Sequence, residues 1–192
     1  MPDVVIGNVI LTAALAIALL LFVSAASGLA TLYTIRIRNS LITSEASNVA
    51  QIIQQVYLVV NSSQLPSDTK FVVKTLGLPN ALDGYPYKIV LNAKYLCSFP
   101  SNKETRVILT VNISLIGTIG YASSNVILGS NFALYNFTGA NSPYTVKCGT
   151  NTHTVPVAVT SSVYLVVYKC PSSSSVPTCS ANPNRVVISL AS

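Results

Sequence analysis

Residues 4–35 hold no charged side chain, and no other feature of this sequence narrows the possible folds as far. A helix through them, rising ~1.5 Å per residue, would extend roughly 48 Å, against the ~30 Å of a bilayer's hydrocarbon core. Val5, Ile6, Val9, Ile10, Leu15, Leu19 and Phe22 recur along it with alanines between, so the helix is expected to be apolar on every side. Such a helix has to be surrounded by lipid or by protein.

A removable signal peptide fits poorly. Its basic n-region is missing, since Met1, Pro2 and Asp3 open the chain and the first basic residue is Arg36. The apolar run is also longer than a signal core, although Val23, Ser24 and Ala25 have the small-residue character of a cleavage site. Orientation poses a conflict: the excess of positive charge on the cytoplasmic side places Arg36 and Arg38 inside, while paired cysteines and glycosylation signals further along want the outside. A short basic leader ahead of Met1, which sets the orientation during insertion and is then cut off, resolves it and is expected on that ground.

Past the arginines the pattern changes without a helix breaker. Ile42, Ala46, Val49, Ile53, Val56 and Val60 recur at steps of four and three, with Ser44, Glu45, Ser47, Asn48, Gln51, Gln54 and Gln55 on other faces. Gly28 is tolerable in a helix at ~1 kcal/mol, and no proline stands between Pro2 and Pro66. One helix is expected from about residue 4 to about residue 60. Its apolar half (4–35) would form the core of an assembly, and its striped half (36–60) would lie against a head domain, giving a division into 1–62 and 63–192.

From residue 63 on the composition favours strands, expected at 71–74, 87–95, 105–115, 125–128, 132–137, 154–160, 163–169 and 185–190. Gly, Pro, Asn and Ser clusters separate them as in an antiparallel sandwich, Ig-like or barrel-like. Alternation is clearest where Val107, Leu109, Val111, Ile113 and Leu115 share one face. The fold class is therefore α+β, a long hydrophobic helix followed by an all-β head.

Only 8% of residues are charged and 51% are hydrophobic, against roughly 25% charged in an ordinary soluble domain. Such a surface needs glycans or neighbouring subunits to cover it. Sequons occur at Asn61, Asn112 and Asn136, and Asn112 lies on the strand face opposite the apolar residues. The four cysteines, Cys97, Cys148, Cys170 and Cys179, all follow the apolar segment and imply disulfides, with three pairings open and Cys170–Cys179 plus Cys97–Cys148 preferred.

The net charge of +6 is spread thinly, with only Arg36 and Arg38 close together, which argues against nucleic acid as a primary ligand. Catalytic signatures are missing too. The single histidine, His153, reads as a loop residue, and the five acids form no motif. There is no phosphate loop, nucleophile elbow or metal-ligand pair, so neither enzyme, cofactor nor metal is expected. Tyr85, Tyr87, Tyr95, Tyr164 and Tyr168 lie in or beside strands, where packing is the ordinary explanation.

The run Pro2-Asp3-Val4-Val5-Ile6-Gly7-Asn8-Val9-Ile10-Leu11, leading into an alanine- and leucine-rich helix, resembles the mature N-terminus of archaeal type IV pilins and the related archaellins. The segment Leu78-Pro79-Asn80-Ala81-Leu82-Asp83-Gly84-Tyr85-Pro86-Tyr87-Lys88-Ile89 is similar to the element that opens the β-domain in many archaeal pilins. At the fifth position, where the bacterial family carries an acid, Val5 stands instead. The resemblance covers about the first 35 residues and this short stretch.

It implies a subunit made with a short basic leader, trimmed by a membrane leader peptidase and polymerised by an ATP-driven pilus assembly machine. The helices would bundle as the filament core, with the β-domains outside. On this reading the protein rests in the membrane before assembly and ends in an extracellular cell-surface homopolymer for adhesion or cell contact. The alternatives are an archaellin in a motility filament and a single-span membrane-anchored protein with a binding β-domain.

Overall fold

The computed structural model describes residues 2–62, 71–98, 103–134, 152–159, 163–170 and 185–191, with side chains for 6–62, 71–94, 106–134, 163–170 and 185–191. One helix, α1 (Pro2–Asn61), precedes eight strands: β1 (Phe71–Thr75), β2 (Tyr87–Ser98), β3 (Lys103–Leu115), β4 (Tyr121–Gly129), β5 (Phe132–Leu134), β6 (Thr152–Val159), β7 (Tyr164–Lys169) and β8 (Val186–Ala191). The chain divides into two compact units, 1–38 and 39–192. The boundary falls within α1, because the residues that pack with the strands begin only after Arg38.

In the first unit α1 has nothing apolar to lean on. From Ile6 to Tyr33 its large apolar side chains are 56–71% exposed.

The second unit is built round the stripe. Ile42, Ala46, Val49, Ile53, Val56, Tyr57 and Val60 are buried in one hydrophobic core together with residues from β2, β3, β4, β5, β7 and β8. Burying a side chain of this size is worth ~1.5–3 kcal/mol, so the striped half of α1 is held by packing and needs little intrinsic helix propensity.

Two four-stranded sheets share this core, in the orders β1-β7-β8-β5 and β4-β3-β2-β6. In the second sheet Ile89, Leu91 and Ala93 of β2 pair with Ile113, Val111 and Leu109 of β3, all buried. Lys88, Asn92 and Lys94 take the other face, as the two-residue period requires. The β2–β3 register shifts between Leu96 and Cys97, marking a bulge or irregularity.

Two expectations need correction. The head is not wholly antiparallel, since β5 pairs with β8 in parallel. A three-residue strand with all of its side chains buried has no alternation to fix its direction from sequence. His153 is also not a loop residue, because pairing with β2 carries β6 back past Thr154 and sets His153 opposite Ala93.

Helix and hairpin run side by side within the second unit. A Cβ placed on Gly120 would lie 2.8 Å from Cδ1 of Ile42, and the Tyr57 hydroxyl meets the amide of Gly129 at 3.0 Å. β4, which links these two glycines, therefore follows the direction of α1 from Ile42 to Tyr57.

Candidate functional surface

The apolar half of α1 is the largest feature that the core leaves unused. Ile6, Val9, Ile10, Leu15, Leu19 and Phe22 are all more than half exposed, while the side chain of Val5 lies outside the described ones. By length and composition the helix can cross a membrane.

Its polar side chains follow a pattern that spacing alone does not reveal. The hydroxyl of Thr12 donates to the carbonyls of Asn8 (2.9 Å) and Val9 (3.0 Å). Ser24 donates to Leu21, Ser27 to Ser24, Thr31 to Ser27 and Thr34 to Ala30, each at 2.9–3.0 Å. Every one of these donors is turned back onto the helix's own backbone, so none demands a partner outside it. These serine and threonine hydroxyls thus do not interrupt the apolar surface, since a satisfied donor avoids the several kcal/mol that an unmet polar group costs in an apolar surrounding.

Small residues complete the surface. Ala13, Ala14, Ala16, Ala18, Ala25, Ala26, Gly28 and Ala30 leave the backbone open to close approach. A Cβ built on Gly7 or on Gly28 meets no atom within 4 Å.

The sequence-derived sites on the head are scattered. Asn61 closes α1, and its Oδ1 accepts a hydrogen bond from Nδ2 of Asn131. Asn112 lies half-buried mid-strand in β3, its Oδ1 accepting from the hydroxyl of Tyr121 at 2.8 Å. Asn136, Cys148 and Cys179 lie outside the described residues.

Cys97 sits at the end of β2, opposite Glu104. Cys170 is buried and disulfide-bonded, to a cysteine whose side chain is not among those described. No group of His, Cys, Asp and Glu capable of holding a metal occurs among the described residues.

Two tyrosines do more than the sequence indicated. Tyr57 packs edge-on against Phe132, with ring centroids 6.2 Å apart, while its hydroxyl donates to Oδ1 of Asn131 and accepts the amide of Gly129. Its place four residues beyond Ile53 on the buried stripe was the available signal. Tyr87 is fully buried and donates to the carbonyl of Pro79 at 2.6 Å. Burial, with the charge of Glu45 second, pushes its phenol up to about 12.

In comparisons with known proteins, no family model, no curated protein and no solved structure matches the chain.

Proposed function

We propose that this chain is the structural subunit of an extracellular helical filament of the archaeal type IV pilus kind, for adhesion or cell-to-cell contact. One observation carries the reading: a helix exposed and predominantly apolar, with its serine and threonine hydroxyls satisfied internally, stands ahead of a separate β-rich unit. The resemblance of residues 2–11 and 78–89 to archaeal pilins supports it.

The physical logic is an exchange of surroundings. Before assembly the helix rests in the bilayer, its backbone satisfied within itself. During assembly it leaves lipid for a bundle of identical helices. Both environments are apolar, so burial contributes little and close packing at the small residues decides the outcome. A head-to-tail contact that does not close then propagates as a helical fibre. The partners of this reading are further copies of the chain, a leader peptidase and a membrane assembly machine.

A single-span anchor carrying a binding β-domain draws on the same exposed helix. Electron microscopy of material sheared from cells, with mass spectrometry of the subunit's N-terminus, separates the two. Fibres composed of this chain bear out the polymer, whereas a detergent-soluble monomer with no fibres in the sheared fraction sinks it.

A further inference from the structure

The two sheets end in four edge strands, β1 and β5 in one, β4 and β6 in the other. An edge offers its unpaired backbone groups to any second strand, and folds ordinarily blunt it by shortness, by a lysine or by a proline. β1 has five residues and carries the exposed Lys74, and β5 has three. β6 has eight and carries Pro156.

The alternation of antiparallel hydrogen bonds tells which way each backbone group points. The amide of Leu115 donates to the carbonyl of Gly120 at 3.0 Å, and that of Ile116 to the carbonyl of Pro86 at 2.8 Å. Followed along the registers, β3 therefore bonds β4 through Ile113 and Val111, and β2 through Ser114 and Asn112. β2 in turn bonds β6 through Val157 and Val155, so Pro156 stands towards the open side, where it removes an outward amide.

β4 has no such device. It runs for nine residues, YASSNVILG, with no charge and no proline. By the same alternation Tyr121, Ser123, Asn125, Ile127 and Gly129 direct their amides and carbonyls to its open edge. The amide of Gly129 is taken by the Tyr57 hydroxyl at 3.0 Å. The outward groups of the others have no protein partner among the described residues.

We propose that β4 pairs antiparallel with β4 of a second copy, centred on Ser124. This register sets Tyr121 opposite Ile127 and Ser123 opposite Asn125, each pair occurring twice by symmetry, so every open residue of one edge meets an open residue of the other. The side chains match as well as the backbone: an aromatic ring meets a β-branched chain, and a hydroxyl meets an amide. Tyr121 and Ile127, 60% and 59% exposed on their own, cover one another, and the Tyr121 hydroxyl is already anchored on Oδ1 of Asn112 at 2.8 Å. On the core side Ser124 is only half-buried, and it meets its own counterpart.

Charge selects the same arrangement. β4 brings no charge against its copy. The exposed Arg106 lies beside Gly129, so antiparallel pairing carries the two arginines to opposite ends, whereas parallel pairing brings them to the same end. The inference needs only the folded second unit and does not rest on the filament reading. A two-fold contact does not repeat along one polar fibre, so within a filament it joins one fibre to another.

The test uses the full chain in detergent, with Tyr121→Cys in one preparation and Ile127→Cys in another, each oxidised alone and as an equal mixture beside the parent chain. Facing residues in this register have Cα atoms ~5.5 Å apart, within disulfide reach, while position 121 lies roughly 20 Å from its own counterpart, as does 127. The expected result is a covalent dimer on non-reducing gels from the mixture alone, above the parent's background and approaching about half of the chains, the share that random two-fold pairing makes mixed. Dimers from the single variants, with none added by mixing, assign a parallel pairing and overturn the inference. No dimer above background in any sample overturns it as well. So does an equal yield from a mixture of Lys88→Cys and Lys94→Cys chains, two strands away on the same face, because chance collision then accounts for the link.

Discussion

The hydroxyl of Tyr57 donates to Oδ1 of Asn131 while accepting the amide of Gly129 at 3.0 Å. Asn131 in turn donates from Nδ2 to Asn61, so two residues of α1 grip the loop between β4 and β5. Removing only the hydroxyl, in Tyr57→Phe, keeps the edge-on contact with Phe132 but leaves partly buried polar groups without their partner. A loss of about 1–3 kcal/mol is expected from denaturant unfolding of the detergent-solubilised chain. Tyr57→Ala removes the ring as well and should cost about 3–5 kcal/mol.

Alkaline pH should weaken the head through Tyr87. Its phenol ordinarily titrates at 10.0 and is pushed up to about 12, first by burial and then by Glu45. The fold thus favours the protonated form, and the stability it contributes is complete below pH 10 and lost as pH climbs from 10 towards 12. At most about 2–3 kcal/mol is at stake. Tyr57, raised mainly by burial, adds a loss of the same sign. Melting temperatures measured between about pH 9 and pH 11.5 should fall, and Tyr87→Phe should flatten the fall in that window.

Gly120 tests the contact between hairpin and helix. In Gly120→Ala the new methyl would meet Cδ1 of Leu115 at 2.6 Å and Cδ1 of Ile42 at 2.8 Å. Both neighbours are buried and have little room to yield, so a loss of about 1–3 kcal/mol is expected in chemical denaturation. Ile42→Ala should cost about 2–4 kcal/mol on its own, and the double variant less than the sum, because the deletion makes room for the methyl.

Charges in the apolar segment should separate assembly from folding. Leu19→Lys and Phe22→Asp lie in the first unit, and neither position belongs to the hydrophobic core of the second. Both should abolish fibres in electron micrographs of sheared material, at a cost of about 2.5–3.5 kcal/mol per charge at the middle of an apolar span. The melting of the β-rich unit should stay within about 0.5 kcal/mol of the parent.

Much of this architecture was readable from periodicity, and the exceptions have identifiable causes. The steps of four and three from Ile42 to Val60 marked the buried stripe of α1, and the alternation from Val107 to Leu115 marked the buried face of β3. All eight expected strands are present, though β4 begins at Tyr121 and not near Asn125. Its first residues, Tyr121, Ala122, Ser123 and Ser124, are held by pairing with β3 and carry too little apolar contrast to be read alone.

The candidate surface was half legible. Its apolar side chains stand out in the sequence, but whether Ser24, Ser27, Thr31 and Thr34 break that surface depends on rotamers that composition does not encode.

The border between the two units, at Arg38 and Asn39 inside one unbroken helix, has a practical side. Anyone wishing to free the head from its insoluble stem would be drawn to the first break in helical pattern, near Pro66. A truncation there strips out the buried stripe from Ile42 to Val60, which shares one core with Tyr87, Leu115 and Phe132. The scissors belong directly after Arg38, where the stem is still helical and the head is already whole.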